Sequence, residues 1–129
     1  MKEKIKKAFQ ERYKHQPSII VRSPGRVNII GEHTDYNDGF VLPAAIDKAA
    51  YFAIALRDDD EIHLAAEDLN ETFSASVNEL KPVGDVSWPN YILGAAAQFQ
   101  KLNIRLQGFN AVLCSDVPIG AGISSSAAV

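Results

Sequence analysis

The stretch "GFNAVLCSDVPIGAGISSSAAV", residues 108–129, combines a strand pattern, a glycine-containing loop and the start of a helix. The apolar run from Gly108 to Asp116 predicts a buried strand. Gly120 and Gly122 permit a tight turn and let a ligand approach the backbone closely. The serines and alanines after them predict the first turns of a helix, whose start offers free backbone N–H groups. This order favours an anion with several oxygens, such as nucleotide phosphates, over a glycine turn with a serine cap.

The loop matches neither of two common phosphate-binding patterns. "GAGISSS" contains no Lys, so it is not a Walker A loop, and Ser125 stands where the dinucleotide fingerprint has its third glycine. The phosphate charge would therefore have to be met by backbone N–H groups, a metal ion and an arginine from elsewhere in the chain.

A second polar segment, "GRVNIIGEHTDYNDG" at residues 25–39, supplies such an arginine. It places Arg26, Glu32, His33 and Asp35 within ten residues. Carboxylates and an imidazole suit the hydroxyl groups of a small polyol, and Arg26 could balance those carboxylates or stabilise charge on a transferring phosphoryl group. Two simpler interpretations stay open. One is a solvated turn at the "NDG" of this segment, and the other is a metal site at His33 and Asp35, which has too few soft ligands.

Flanking patterns predict an α+β fold. The apolar spacing of Ile5, Ala8, Phe9 and Tyr13 predicts a first helix, and a second helix begins near Trp88 with Ser87 placed to cap it. The expected strands are Ser18–Ser23, ended by Pro24-Gly25, then Tyr51–Leu56, and a hairpin made of "EIHLAAE" and "ETFSASV". Several strands in succession before a helix are typical of α+β rather than alternating α/β architecture.

Composition excludes several function classes. Thirteen basic against 16 acidic residues give a net charge of −3 over 129 residues, with no basic cluster for nucleic acid. No apolar run is long enough for a membrane helix, and the amino-terminal segment lacks the apolar centre of a signal peptide. A single cysteine, Cys114, excludes an internal disulfide and indicates a reducing, cytoplasmic location. Since the sequence stops just after the glycine-rich loop, we expect it to be part of a longer chain.

Three segments resemble one enzyme family. "SPGRVNIIGEHTDYNDGFVLP", residues 23–43, closely resembles the galactokinase signature, and "WPNYILGA", residues 88–95, also resembles a galactokinase segment. "VPIGAGISSSAAV", residues 117–129, is similar to the phosphate-binding motif of the wider GHMP kinase superfamily. Ile123 replaces the usual leucine, which is a conservative difference.

The resemblance implies a fold and a domain organisation. Residues 1–129 would form an incomplete N-terminal GHMP kinase domain, a ribosomal-protein-like mixed sheet with packed helices. The domain would be truncated within the phosphate loop and its following helix, and the C-terminal domain would be absent.

The resemblance also implies a reaction, transfer of the γ-phosphoryl group of ATP to the anomeric hydroxyl of α-D-galactose. Arg26 would be the catalytic transition-state stabiliser. The remaining roles are galactose binding by Glu32, His33, Thr34 and Asp35; ATP binding by Gly120, Ala121, Gly122, Ile123, Ser124, Ser125 and Ser126; and a Mg²⁺ contact at Ser126. The catalytic aspartate and the acidic magnesium ligand would lie beyond Val129, so these residues alone would be inactive.

Two alternatives share this scaffold. One is a kinase for a related sugar such as N-acetylgalactosamine, and the other is a non-catalytic sensor of galactose and ATP. An intact "GISSSAA" favours the enzyme over the sensor.

Overall fold

The computed structural model describes residues 1–31, 35–84 and 88–129. For Asp35 it describes the backbone but not the side chain. The helices are α1 (Lys2–Tyr13), α2 (Trp88–Lys101) and α3 (Ser125–Ala128), with a 3₁₀ turn at Asp35–Asn37. The strands are β1 (Ile19–Ile30), β2 (Leu42–Leu56), β3 (Glu61–Ala66), β4 (Glu71–Ser76) and β5 (Phe109–Ser115). They form one sheet in the order β1-β2-β5-β3-β4.

The sheet is mixed, which confirms the α+β prediction. β3 and β4 form the predicted antiparallel hairpin, with Leu64 opposite Phe73. β3 and β5 run parallel, with Leu64 beside Ala111. Within the described residues, no helix is both long enough and apolar enough to cross a membrane.

The chain forms two compact units, which are described separately. The first contains Met1–Val21 and Tyr51–Cys114. Its core includes Ile5 and Phe9 of α1, both fully buried, together with Ala53, Ala55, Ala65, Val112 and Cys114. The predicted apolar face of the first helix is therefore confirmed. The Tyr13 hydroxyl at the end of α1 donates to the carbonyl of His63 at 3.1 Å, which attaches the helix to β3.

Helix α2 is joined to the same unit by side-chain hydrogen bonds at both ends. Trp88 Nε1 donates to Glu71 Oε2 at 2.6 Å, and Gln100 Nε2 donates to the carbonyl of Val77 at 2.6 Å. Pro89 lies in the first turn, where no intrahelical donor is lost. The predicted cap at Ser87 lies outside the described residues.

The second unit contains Arg22–Ala50 and Ser115–Val129. Here the structure corrects the prediction that Pro24-Gly25 ends the first strand, because β1 continues through both residues to Ile30. β1 lies at the edge of the sheet, where a proline can be accommodated because one side of the strand needs no ladder hydrogen bonds. The continuation places Arg26 on a regular strand rather than in a turn.

Candidate functional site

The glycine-rich loop lies directly against β1 in the second unit. The Arg26 N–H donates to the carbonyl of Ile123 at 3.1 Å. Gly25 is buried beside it, and a Cβ at this position would stand 2.9 Å from the same Ile123 oxygen and 3.1 Å from Ile46 Cδ1. Glycine at position 25 is therefore required for the close approach of the loop. From the sequence, Gly25 was predicted to be part of a turn rather than the point where the loop approaches the strand.

The Arg26 side chain joins the two sequence motifs. Its Nε donates to Ser124 Oγ at 3.1 Å, and Nη2 donates to the same oxygen. Nη1 donates to Asn28 Oδ1 at 3.1 Å. None of the acidic side chains that the structure describes forms an ion pair with Arg26. Its positive charge is held by neutral oxygens and is not cancelled by those carboxylates.

The loop backbone has an alternating conformation. Gly120, Gly122 and Ser124 have positive φ angles of 76°, 71° and 64°. Positive φ at every second residue is typical of the backbone concavities that present N–H groups to anions. A Cβ on either glycine would meet no atom within 4 Å, so these glycines are required by backbone conformation and leave open space on that side.

The three serines differ in what they offer. Ser124 occupies the residue before α3, but its side chain makes no capping hydrogen bond, so the simple serine-cap interpretation is wrong. Its oxygen instead accepts from Arg26. Ser125 is half-buried, whereas Ser126 and Ala121 are exposed, and Ile123 is half-buried. Ser126 therefore has an accessible hydroxyl, as a metal contact requires.

The predicted sugar-binding residues fall mostly outside the described structure. Glu32, His33 and Thr34 lie outside the described residues, and of Asp35 only the backbone, at the start of the 3₁₀ turn, is described. Asp38 follows with φ 57°, a left-handed backbone conformation that is common in turns. In the described ranges, no three His, Cys, Asp or Glu side chains are grouped to hold a metal ion. The convergence of the sugar-binding side chains stays a prediction.

Two polar residues were missed or set aside at the sequence level. Asn28 was not predicted as a site residue, although its position two residues after Arg26 on a strand places both side chains on one face. Asp116 lies just before the loop, whereas the family resemblance implies a catalytic aspartate beyond Val129, and the contacts of Asp116 are with the backbone of Ala49. Its Oδ1 accepts the Ala49 N–H at 2.6 Å, and its own N–H donates to the Ala49 carbonyl at 3.2 Å.

Together these contacts make a surface rich in hydrogen-bond donors. The guanidinium of Arg26 and the alternating backbone of the loop lie in one unit, joined through Ser124. Such an arrangement can bind an anion with several oxygens and stabilise negative charge that develops on it.

Comparisons with known proteins agree with this chemistry. The galactokinase galactose-binding signature matches residues 7–56, and the GHMP kinases N terminal domain matches residues 90–129. The galactokinase of Roseiflexus sp. is 44% identical over 125 residues, which cover 97% of this chain and 32% of that protein. A galactokinase of Haemophilus influenzae is 45% identical over 122 residues, covering 94% of this chain and 32% of that protein.

A solved structure supports the same assignment. Lactococcus lactis galactokinase complexed with galactose superimposes with a TM-score of 0.84 at 30% identity, covering 95% of this chain and 33% of that one. The chain therefore spans about a third of the length of the relatives it matches. Its fold is that of a GHMP kinase N-terminal domain. Over two separate segments the chain is similar to the GHMP kinases and, among them, to the galactokinases.

Proposed function

We propose that the chain forms the sugar- and phosphate-binding part of a galactokinase. The full enzyme would transfer the γ-phosphoryl group of ATP to the anomeric hydroxyl of α-D-galactose, giving galactose 1-phosphate and ADP. The observation that carries this proposal is the contact between Arg26 and Ser124, because it joins the galactokinase-type segment to the phosphate-type loop. The galactose-binding signature over residues 7–56 supports the choice of sugar.

The proposed roles follow the chemistry of each group. Glu32, His33, Thr34 and Asp35 would bind the sugar hydroxyls, because charged acceptors give strong, directional hydrogen bonds to them. The loop from Gly120 to Ser126 would hold the ATP phosphates. Arg26 would stabilise charge on the transferring group, which suits a reaction that depends mostly on positioning and electrostatics.

The loop offers groups that suit the phosphates of ATP, but it would supply only part of a magnesium site. Its open glycine positions and the donors of Arg26 suit phosphate oxygens. Ser126 would supply one hydroxyl oxygen to Mg²⁺, and the acidic ligand would come from beyond Val129. When bound, Mg²⁺ would neutralise phosphate charge.

The remaining partners are also proposals. The catalytic aspartate would come from a C-terminal domain of the same chain, so residues 1–129 would be inactive without it. The location proposed for the enzyme is the cytoplasm, as the single Cys114 suggests.

Gly122→Val tests the phosphate role of the loop. A Cβ-branched residue strains the backbone at φ 71°, so we expect ATP affinity to fall by at least about tenfold. The measurement is calorimetric titration of ATP into a chimera in which this chain replaces the matching third of the Roseiflexus galactokinase.

Gly84→Val is the matched control. A Cβ at Gly84 meets no atom within 4 Å and its backbone is not left-handed, so ATP affinity should be unchanged. Unchanged affinity in Gly122→Val as well would mean that the loop does not hold the phosphates.

A further inference from the structure

Asn28 lies beside the charged group of the site without being charged itself. It is two residues from Arg26 on β1, so both side chains project from one face of the strand. Its Oδ1 accepts from Arg26 Nη1 at 3.1 Å, which also fixes which end of the amide faces the guanidinium. Asn28 therefore contacts the end of the guanidinium that Ser124 does not hold.

The contacts leave a defined set of free donors. A guanidinium has about five N–H groups, and three of them are used by Ser124 and Asn28. Within residues 1–31, 35–84 and 88–129, one N–H on Nη1 and one on Nη2 have no acceptor. Ser124 Oγ accepts twice from Arg26, which uses both lone pairs of a hydroxyl, so its own O–H can only donate. The two remaining N–H groups of Arg26 and the O–H of Ser124 are thus donors, and the acceptor capacity left in this cluster is the second lone pair of Asn28 Oδ1.

The neutral amide of Asn28 is important for this outcome. A carboxylate at the same place would also hold Nη1, but its charge would cancel that of Arg26 toward an incoming anion. An apolar side chain would leave Nη1 without an acceptor, and the guanidinium would then be held through Ser124 alone. An amide supplies the acceptor and preserves the positive charge.

We propose that Asn28 is a positioning residue that fixes the Arg26 guanidinium in the plane where it holds Ser124 Oγ and directs its two free N–H groups at the oxygens of a polyphosphate. This inference rests on the proposed function for the identity of the ligand. The orientation of Arg26 is independent of that function and can be measured by itself.

The experiment combines two readouts on the 129-residue chain. Nitrogen-15 NMR follows hydrogen exchange of the Arg26 Nε–H, assigned through its loss in Arg26→Lys. Titration with inorganic tripolyphosphate gives the affinity for a polyphosphate anion. In Asn28→Ala we expect the Nε–H to exchange faster and affinity to fall about tenfold or more, the lower range for a hydrogen bond to a charged group.

Asn28→Asp separates positioning from charge. The carboxylate still accepts from Nη1, so the slow exchange of the Nε–H should persist, whereas tripolyphosphate affinity should fall several-fold because the local charge is reduced. If Asn28 only stabilised the fold, Asn28→Asp would not lower tripolyphosphate affinity while leaving Nε–H exchange unchanged. Asn78→Ala, in the other unit, is the matched control and should change neither readout.

Three results would overturn the proposal. The first is unchanged Nε–H exchange in a folded Asn28→Ala. The second is faster exchange of the Arg26 Nε–H in Asn28→Asp than in the original chain. This result would be decisive even if Asn28→Ala does not fold. The third is equal tripolyphosphate affinity in Asn28→Asp and the original chain. Absence of tripolyphosphate binding in the original chain would contradict the proposed phosphate site, whereas the exchange comparison would still decide whether Asn28 positions Arg26.

Discussion

At the scale of single residues, Arg57 and Asp59 form a close ion pair in the first unit. Arg57 Nε donates to Asp59 Oδ1 at 2.8 Å and Nη2 donates to Oδ2 at 2.7 Å, a bidentate arrangement. Arg57 Nη1 also donates to Oδ1 of the buried Asn110 at 2.9 Å. The hydrogen bonds from Arg57 lower the pKa of Asp59 to about 2.

The stability lost on replacing Asp59 by Asn should depend on pH in a predictable way. Because the folded-state pKa of about 2 lies below the ordinary value of 3.8, the carboxylate stabilises the fold fully above that ordinary value and loses its contribution as pH falls toward 2. Urea unfolding should show a less stable variant near neutral pH, with the difference shrinking below about pH 4. Asp58→Asn is the control, because Arg57 bonds to Asp59 rather than Asp58. A difference independent of pH would contradict this interpretation.

Residue types were easier to predict than the reasons for them. Arg26 and the loop serines are visible as polar residues between apolar ones, so they could be selected as site candidates. The role of Asn28 depends on its contact with Arg26. The role of Gly25 depends on its contact with Ile123, which is almost a hundred residues away in sequence. Spacing along the chain carries no information on such a contact until the strand and the loop are placed together.

At the scale of elements, Gly108 sets how closely β5 can begin beside the connection between β2 and β3. Its N–H donates to the Asp59 carbonyl at 3.1 Å, and its carbonyl accepts from the Arg57 N–H at 2.8 Å. A Cβ at Gly108 would stand 2.2 Å from the Asp59 oxygen and 2.5 Å from the Glu61 oxygen, both of them backbone atoms. No side-chain rearrangement can relieve such contacts.

Gly108→Ala should therefore destabilise the chain. Overpacking against fixed atoms costs about 1–3 kcal/mol, and urea unfolding should show at least this loss. Gly94→Ala is the matched control, and it should change the free energy of unfolding in the opposite direction. Gly94 lies in α2 with no atom within 4 Å of a Cβ position, so alanine should raise the free energy of unfolding by up to about 1 kcal/mol. Equal stability of Gly108→Ala and the original chain would show that β5 can move away.

Periodic elements were predicted well, whereas the extents of β1 and β2 were not. The face of α1 with Ile5 and Phe9 and the hairpin of β3 and β4 follow from repeating patterns of three to four and of two residues. β2 begins at Leu42, nine residues before the predicted Tyr51, because its first part is largely exposed and lacks a continuous apolar run. Pro24 was wrongly predicted to end the first strand, because an edge strand such as β1 can accommodate a proline.

At the scale of the whole molecule, fold and family were accessible because two specific motifs occur in order. The galactokinase-type segment and the phosphate-type loop lie in the parts matched by the family descriptions, residues 7–56 and 90–129. The arrangement of the sugar-binding side chains was not accessible in this way. Hydroxyl recognition depends on the directions of Glu32, His33 and Asp35, which sequence alone does not specify.

The most direct test of the central claim is galactose-dependent ADP release by the chimera that carries this chain in the matching third of the Roseiflexus galactokinase. We expect turnover with galactose and none from residues 1–129 alone. Asp35→Ala in the chimera should lower kcat/KM for galactose by roughly 10- to 150-fold, because charge-assisted hydrogen bonds are lost, with the KM for ATP nearly unchanged. A folded chimera that releases no ADP with galactose, or an Asp35→Ala variant with unchanged galactose kinetics, would contradict the assignment of these residues to a galactokinase sugar site.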